Sequence, residues 1–311
     1  MRRLVEEFGT GYQRTAVYRT DSGYLWVRSP GPDRPGGMVE PGPELRTALT
    51  AHTPRGMALR LAEKVDESLV YGVQGCKTAA RVAFGWQGRA DGRERLASAA
   101  HAVGRSLAGL HADVSATAAE TGPPALSRVI RWMSTEQGPR GAAALHGVLH
   151  THLGPARWRR ILRWCQEFAE PGHADTVLLH GAPSLGSMIL ASEGAADCLL
   201  TGEEVSRGPA GYDVGWLVGE ILEWDMTASA PEKTAKRAAA RHVGRALLGG
   251  YGALPDTTVV SRAAVLRVLT HAHDFAAYRG WHPELTHYAR SLSRLVDETR
   301  AGTLLASSGL L

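Results

Sequence analysis

The chain contains only three cysteines among 311 residues, Cys76, Cys165 and Cys198. They are far apart and lack the paired spacing of metal ligands, so we expect three reduced thiols. The sequence also lacks an apolar run long enough to span a bilayer. Its first residues, MRRLVEEFGT, do not contain the apolar core of a secretory signal. These absences predict a cytoplasmic protein that does not enter a membrane.

Lysine is scarce as well, because only four of the thirty-five basic residues are lysines and the others are arginines. The formal net charge of +4 permits an anionic partner. The arginines form one modest cluster, at Arg157, Arg159, Arg160 and Arg163. This cluster is either a solvated helix face or a surface for an acidic peptide or partner protein. Aromatic and basic residues do not alternate anywhere, so we do not expect nucleic acid as a partner.

The most informative stretch is 177–216, VLLHGAPSLGSMILASEGAADCLLTGEEVSRGPAGYDVGW. His180-Gly181 follows an apolar pair, two strand-like runs flank a turn at 192–194, and Tyr212-Asp213 opens a helix. The order and spacing resemble the catalytic core of aminoglycoside-phosphotransferase-type kinases. There the stretch runs H-G-D-x-x-x-x-N, then a hairpin that ends in D-W, then Y-D-L.

The residues that would carry chemistry in that family are replaced. The resemblance implies a catalytic Asp where Ala182 stands, and metal-binding Asn and Asp residues where Ser187 and Thr201 stand. In phosphoryl transfer the first carboxylate orients the accepting hydroxyl, and the other two side chains hold magnesium. His180 keeps the frame of the loop, and we expect Asp213 to cap the following helix. The pattern is therefore specific for the fold, whereas the residues that activity would require are replaced.

The N-terminal part resembles the nucleotide-binding lobe of the same family. Residues 8–19, FGTGYQRTAVYR, are similar to its glycine-rich turn, in which Gly9 and Gly11 would let the backbone approach a phosphate. An ordinary hairpin turn is the alternative. The run 23–28 resembles the third strand, whose expected lysine is replaced by Arg28, a planar cation of different geometry.

Three further features of this part follow from the resemblance and from composition. Glu44, at a Pro-Glu helix start, is either the acidic partner of Arg28 or an ordinary surface residue. Residues 29–37 have the composition of a flexible loop. The runs 68–73 and 78–84 predict a hairpin, and Trp86 just after it lies where the family binds adenine.

The sequence thus predicts an α+β, bilobal, protein-kinase-like fold of the aminoglycoside phosphotransferase type. Residues 1–88 would form a strand-rich lobe and residues 89–311 a larger, mainly helical lobe. Three- and four-residue spacing of apolar side chains predicts helices at 93–112, 127–135, 156–168, 213–225, 231–249, 259–276 and 284–299. His111, at the end of the first helix, is expected to be a packed structural residue.

A magnesium site is a further candidate feature of the sequence. Glu203 and Glu204 could hold magnesium in a shifted position, with a hydroxyl from Ser184, Ser187 or Thr201. No proton acceptor accompanies them. ATP and magnesium are therefore candidate cofactors, whereas a scaffold role requires none.

Three functions compete. The first is a pseudokinase, and the phrases H-G-A-P-S-L-G and L-L-T-G-E-E are similar to phosphotransferase-like components of class V lanthipeptide and thioamitide biosynthesis. That resemblance implies a precursor peptide and a lyase-like companion protein as partners, and a role in phosphorylation and dehydration of serine or threonine within a complex. The second is an active ATP-dependent kinase of a small molecule with relocated metal ligands. The third is a regulatory interaction module.

Overall fold

The computed structural model describes residues 2–85, 90–119, 121–172, 176–192, 194–226 and 233–311. The N-terminal lobe contains seven strands: β1 (Arg3–Gly9), β2 (Gln13–Thr20), β3 (Gly23–Pro30), β4 (Ala58–Leu61), β5 (Glu63–Val65), β6 (Ser68–Val73) and β7 (Lys77–Thr78). Five of them form an antiparallel sheet in the order β1-β2-β3-β6-β5. Its buried side includes Val17, Trp26 and Tyr71.

Helices dominate the rest of the chain. They are α1 (Pro43–Ala51), α2 (Ala79–Phe84), α3 (Ala90–Asp113), α4 (Ala125–Thr135), α5 (Ala142–Ala169), α6 (Gly211–Met226), α7 (Lys233–Tyr251), α8 (Thr257–Tyr278), α9 (Leu285–Ala301) and α10 (Leu304–Ser307). Four short strands lie among them: β8 (Val177–Leu179), β9 (Met188–Leu190), β10 (Cys198–Thr201) and β11 (Ser206–Gly208). The predicted α+β, two-lobed architecture is confirmed. None of the described helices has the length and apolar character needed to cross a bilayer.

Helix α5 is longer than predicted because it contains two helical pieces. Gly154 adopts φ +68° inside it, and Pro155 follows. Proline fits a first helical turn, so the sequence pattern identified only the piece that starts after this kink. The other predicted helices agree with the structure to within about three residues at each end.

The predicted hairpin of 68–73 and 78–84 is wrong in its second half. Residues 79–84 form α2, whose first turn is capped by Thr78, since its hydroxyl accepts a hydrogen bond from the Arg81 amide at 3.1 Å. Alanine-rich composition and a good N-cap favour a helix here. Residues 86–89, including Trp86, lie outside the described residues, and the lobe boundary near 88 stays a prediction.

The hairpin within 177–216 is confirmed. Cys198 and Leu199 of β10 pair antiparallel with Ile189 and Met188 of β9. Strands from the N-terminal lobe flank this hairpin on both sides, because β4 pairs in parallel with β10 and β7 pairs with β9. The loop that carries the candidate site is therefore held in a four-stranded sheet built from both lobes.

Close packing of α6 on α8 positions the segment after the hairpin. A Cβ on Gly215 or Gly219 would collide with backbone carbonyls of Val260 and Ala264 on α8. The two glycines thus permit the helix backbones to approach, which fixes the start of α6 next to the hairpin.

Candidate functional site

Asp213 organises the loop that resembles a catalytic loop. Its fully buried carboxylate accepts hydrogen bonds from the backbone amides of His180, at 2.7 Å, and Gly181, at 2.9 Å. The imidazole of His111 lies 3.0 Å from the same carboxylate. The carboxylate therefore joins three separate segments, a wider role than the helix cap expected from sequence. His111 is buried and structural, as predicted.

His180 and Gly181 fix the backbone at the entrance of the loop. His180 Nε2 lies 3.1 Å from the Leu200 carbonyl oxygen of β10, and burial lowers the pKa of the imidazole. It therefore donates to that carbonyl as a neutral ring. Gly181 adopts φ +87°, and a Cβ there would collide with the Glu204 carbonyl. His180 and Gly181 are thus required by the backbone conformation of the loop, whether or not the loop is catalytic.

The structure brings half of the twelve predicted site residues into one interlobe cleft. Its volume is about 270 Å³, and its lining includes Arg28, His180, Ala182, Ser184, Ser187 and Glu204. The lining side chain at the position of the catalytic carboxylate is therefore a methyl group. Thr201 is outside this lining because it is fully buried, and its hydroxyl donates to the Leu199 carbonyl at 3.2 Å.

The two serines of the loop bond to each other. The Ser184 amide donates to Ser187 Oγ, and the Ser187 amide donates to Ser184 Oγ, both at 3.0 Å. The Ser187 hydroxyl also donates to the Ser184 carbonyl at 2.9 Å. These reciprocal hydrogen bonds keep both hydroxyls close to the backbone of the loop. The Ser187 hydroxyl therefore does not extend into the cleft as the longer side chain of an asparagine would.

Glu203 is held by an arginine from the N-terminal lobe. Arg34 donates two hydrogen bonds to its carboxylate, at 2.8 and 2.5 Å, and the Val39 amide adds a third at 3.2 Å. Both carboxylate oxygens are therefore engaged by donors, a state that suits a buried ion pair and does not suit a metal ligand. No group of three His, Cys, Asp or Glu side chains in the described part of the chain is arranged to hold a metal.

The glycine-containing turn between β1 and β2 is docked on the C-terminal lobe. The Gly11 amide donates to the Tyr278 carbonyl at 3.1 Å, and the rings of Tyr12 and Tyr278 are 5.0 Å apart. A Cβ on Gly11 would collide with Asp33 and Arg140, which form an ion pair beside the turn. Gly11 therefore serves close packing between the lobes. Gly9 permits the tight return of the chain, since a Cβ there would meet the Gln13 carbonyl oxygen at 2.5 Å.

Arg28 lies in the cleft without the acidic partner that the family pattern suggests. Its guanidinium is 5.4 Å from the ring centroid of Tyr71, and burial raises the pKa of that tyrosine to about 12. Glu44 is exposed in the first turn of α1 and forms no ion pair with Arg28. Of its two predicted roles, the structure shows the surface residue at a helix start.

Arg34, Tyr278 and Arg140 were missed by the sequence reasoning. Arg34 lies in the loop 29–37, for which composition predicted flexibility, yet its side chain is only 7% exposed. The only sequence signal was a single cation among prolines and glycines. The structure shows that this cation pairs with Glu203, 169 positions away. Local patterns do not contain such a long-range contact.

A second cavity, of about 330 Å³, adjoins the cleft and shares Arg267 and His271 with it. It lies between α6, α8 and α9, and three carboxylates line it, those of Glu220, Glu223 and Glu284. Arg267 is 3.7 Å from Glu220 and 3.3 Å from Glu223, and His271 is 2.9 Å from Glu223. Burial raises the pKa of Glu220. Arg267 therefore neutralises two of the three carboxylates that a polycationic ligand would need.

This combination of a five-stranded N-terminal sheet, a flanked hairpin and a helical lobe defines the aminoglycoside phosphotransferase and choline kinase type of fold. A spectinomycin phosphotransferase, APH(9)-Ia, solved with ADP and spectinomycin, has a TM-score of 0.53 at 10% identity, over 96% of this chain and 93% of that one. A thermostable mutant of aminoglycoside phosphotransferase APH(4)-Ia, in a complex with AMP-PNP and hygromycin B, has a TM-score of 0.53 at 11% identity, over 97% and 95%.

A choline kinase from Cryptosporidium parvum Iowa II has a TM-score of 0.50 at 11% identity, over 100% of this chain and 91% of that one. No protein-family model matches the sequence, and no curated protein matches it either. The similarity is therefore one of fold, and function has to be argued from the site.

Proposed function

We propose that this protein is a pseudokinase, a phosphotransferase-like scaffold that has lost phosphoryl transfer and acts by binding a precursor peptide or a companion enzyme. The main support is the residue at one position of the cleft. Ala182 stands where the acceptor hydroxyl must be oriented and deprotonated, and general acid–base catalysis typically raises the reaction rate by about 10²–10⁴-fold. Glu204 lines the same cleft, but it belongs to the segment after β10 and not to the loop.

Few of the residues present suit a nucleotide-bound magnesium ion. The carboxylate of Glu203 is neutralised by Arg34, and the hydroxyl of Thr201 is buried and bonded to its own strand. Ser187 is committed to its turn with Ser184. Of the two glutamates proposed as metal ligands, Glu204 lines the cleft without an ion pair to another described residue. A metal bound there would need further ligands and would have to break one of the other arrangements to find them in this loop.

The glycine turn offers a phosphate few free backbone amides. The Thr10 amide donates to the Gln13 carbonyl at 2.8 Å, and the Gly11 amide donates to the Tyr278 carbonyl at 3.1 Å. The cleft of about 270 Å³ adjoins the cavity of about 330 Å³, and the two together lie within the roughly 300–1,000 Å³ of pockets that hold drug-sized ligands. The engaged amides, rather than the size of the cleft, therefore argue against a bound nucleotide.

A peptide as the ligand is supported by sequence and by surface. The phrases H-G-A-P-S-L-G and L-L-T-G-E-E are similar to phosphotransferase-like components of ribosomal-peptide modification, where the companion is a lyase-like protein. The basic excess of the chain suits an acidic leader segment. In this proposal the protein binds the precursor peptide, and any modification of its serine or threonine residues takes place within a complex.

An active small-molecule kinase is the competing function. The two phosphotransferases of similar fold bind spectinomycin and hygromycin B. Glu204 favours this function, since it faces the cleft and forms no ion pair with another described residue. Against it stand Ala182 and the carboxylates paired with Arg267, because aminoglycosides are polycations.

Both functions are tested by one set of assays. Purified protein is incubated with ATP, magnesium and spectinomycin, hygromycin B or choline, and ADP release is followed, with an active aminoglycoside phosphotransferase as positive control. We expect no turnover above the blank. A thermal-shift titration with ATP and magnesium accompanies it, because ligand at a hundred times its Kd would stabilise by about 2.7 kcal/mol.

Robust turnover by the native protein contradicts the proposal. Capture of a precursor peptide or lyase-like protein encoded next to this gene supports it. Absence of both turnover and peptide binding would favour the regulatory interaction module.

A further inference from the structure

A groove on the C-terminal lobe, away from the interlobe cleft, combines an apolar floor with a basic rim. Its volume is about 470 Å³. The floor is formed by Ile221, Leu222 and Met226 of α6 together with Leu310. The rim is formed by two pairs of arginines, Arg237 and Arg241 on α7 and Arg290 and Arg294 on α9. We name it the arginine groove.

The rim is one-sided in charge. Its described lining residues contain four arginines and one histidine, His287, and no carboxylate. Each arginine pair is spaced i,i+4, and like charges at that spacing destabilise a helix. An anionic group that lies near the rim would therefore relieve repulsion within each helix.

The rim arginines differ in the partners that compensate their charge. Arg294 forms an i,i+4 ion pair with Glu298, at 2.9 Å. Arg241 donates to the Ser308 carbonyl at 3.3 Å, and neither it nor Arg290 forms an ion pair with a described residue. Both side chains are exposed. Their positive charges are thus available on opposite sides of the floor.

The apolar floor decides between two kinds of anionic ligand. Single-stranded nucleic acid is recognised by bases that stack on aromatic rings. Apart from the imidazole of His287, the described lining has no aromatic side chain. An amphipathic helix, in contrast, lays an apolar face into an apolar groove and reads it at i, i+3, i+4 spacing. Carboxylates on the flanks of that face would meet the arginines.

We infer that the arginine groove binds an acidic, amphipathic peptide segment. Its apolar side chains pack on Leu222 and Met226, and its carboxylates pair with Arg241 and Arg290. This inference rests on the proposed function, for which it names the site of peptide binding. It also connects the two regions, because α6 and α9 border both the groove and the cavity next to the cleft.

The test uses the full chain and a synthetic probe. A fluorescein-labelled peptide of about 18 residues carries Leu at three- and four-residue spacing, with Asp and Glu beside that face. A second peptide has every Asp and Glu replaced by Asn and Gln. Kd is measured by fluorescence anisotropy at about 0.1 M and about 1 M salt, where the screening length falls from about 10 Å to about 3 Å.

We expect the acidic peptide to bind, the amide peptide to bind at least tenfold more weakly, and salt to reduce the difference. Arg241→Glu and Arg290→Glu should each weaken binding about tenfold. Leu222→Asn should weaken the binding of both peptides. Arg131→Glu, at an exposed position of α4 outside the groove, makes the same charge change and should leave Kd unaltered. If a charge reversal disturbs folding, Arg241→Gln and Arg290→Gln answer the same question.

Binding that is unchanged by the groove variants overturns this site but leaves the pseudokinase proposal intact, because turnover of ATP is measured separately. Tighter binding of an oligonucleotide of equal charge, lost in the same variants, overturns the peptide as ligand. No binding of the acidic peptide at any salt concentration overturns the inference outright.

Discussion

Arg34 and Glu203 are 169 positions apart in the sequence, yet they share two hydrogen bonds of 2.8 and 2.5 Å. Their side chains are 7% and 14% exposed. The pair joins the loop after β3 to the segment after β10. It therefore links the N-terminal lobe to Glu203, one of the two glutamates that the sequence offered as candidate magnesium ligands.

The first prediction is that Arg34→Ala destabilises the protein, because it leaves a mostly buried carboxylate without its partner. The free energy of unfolding should fall by about 3 kcal/mol, measured by urea denaturation. Glu203→Gln and the double variant complete a thermodynamic cycle. Arg131→Ala, at an exposed position, is the control and should change stability by less than about 0.5 kcal/mol. A small effect for Arg34→Ala would show that the pair is not part of the interlobe contact.

The second prediction concerns the turn at Gly11. Gly11→Ala should destabilise by about 1 kcal/mol, because its methyl group would displace the ends of the Asp33 and Arg140 side chains and disturb their ion pair. Gly147→Ala on α5 is the matched control, since a Cβ there meets nothing within 4 Å. A helical position should gain up to about 1 kcal/mol from the same change. Equal effects at both positions would remove the packing explanation, and thermal melts of the two variants measure them.

The third prediction is that restoring the family's residues does not restore magnesium binding. Thr201 is fully buried, so Thr201→Asp would bury an unpaired carboxylate and cost about 3 kcal/mol or more. Thr201→Val should cost only about 1 kcal/mol. The triple variant Ala182→Asp, Ser187→Asn, Thr201→Asp should show no magnesium-dependent ATP binding by calorimetry. A clear magnesium-dependent signal would show that those three side chains alone had been missing.

The fourth prediction is a dependence of stability on pH. Burial lowers the pKa of His180 in the folded protein, so the unfolded chain, with a His pKa near 6.5, binds protons first as the pH falls. The stability contributed by the neutral ring is therefore present above about pH 6.5 and is lost on acidification. His180→Gln, which can still donate to the Leu200 carbonyl, should lose less stability between pH 7 and pH 5. Parallel curves for the two proteins would contradict this. The opposite effect of Glu220 is common to both proteins and cancels in the comparison.

The fold was largely readable from the sequence because its signals are local. Spacing around His180 and Asp213 identified the hairpin and the helix after it, and apolar periodicity identified seven helices. The one strand assigned wrongly, at 79–84, shows the limit of such signals. A short apolar run fits either a strand or a helix, and only the cap supplied by Thr78 decided between them.

The candidate site could be predicted from the sequence only in part, for a different reason. Sequence identified what is missing, since Ala182 and Thr201 occupy known positions of a pattern. It did not reveal which contacts the remaining side chains of the site make. Glu203 looked like a free carboxylate, and its neutralisation by Arg34 depends on a contact across the fold that no local pattern encodes.

The sheet made of β4, β10, β9 and β7 has a mechanical consequence. In a hinged two-lobed enzyme the lobes can rotate apart while each keeps its own structure. Here such a rotation would have to separate β4 from β10 along four residue pairs, from Cys198 with Ala58 to Thr201 with Leu61. The two lobes should therefore unfold together, as one calorimetric transition whose measured enthalpy equals its van't Hoff enthalpy. A molecule built in this way should move as a single body rather than as two hinged lobes, because the shared sheet ties the hairpin to strands on both of its sides.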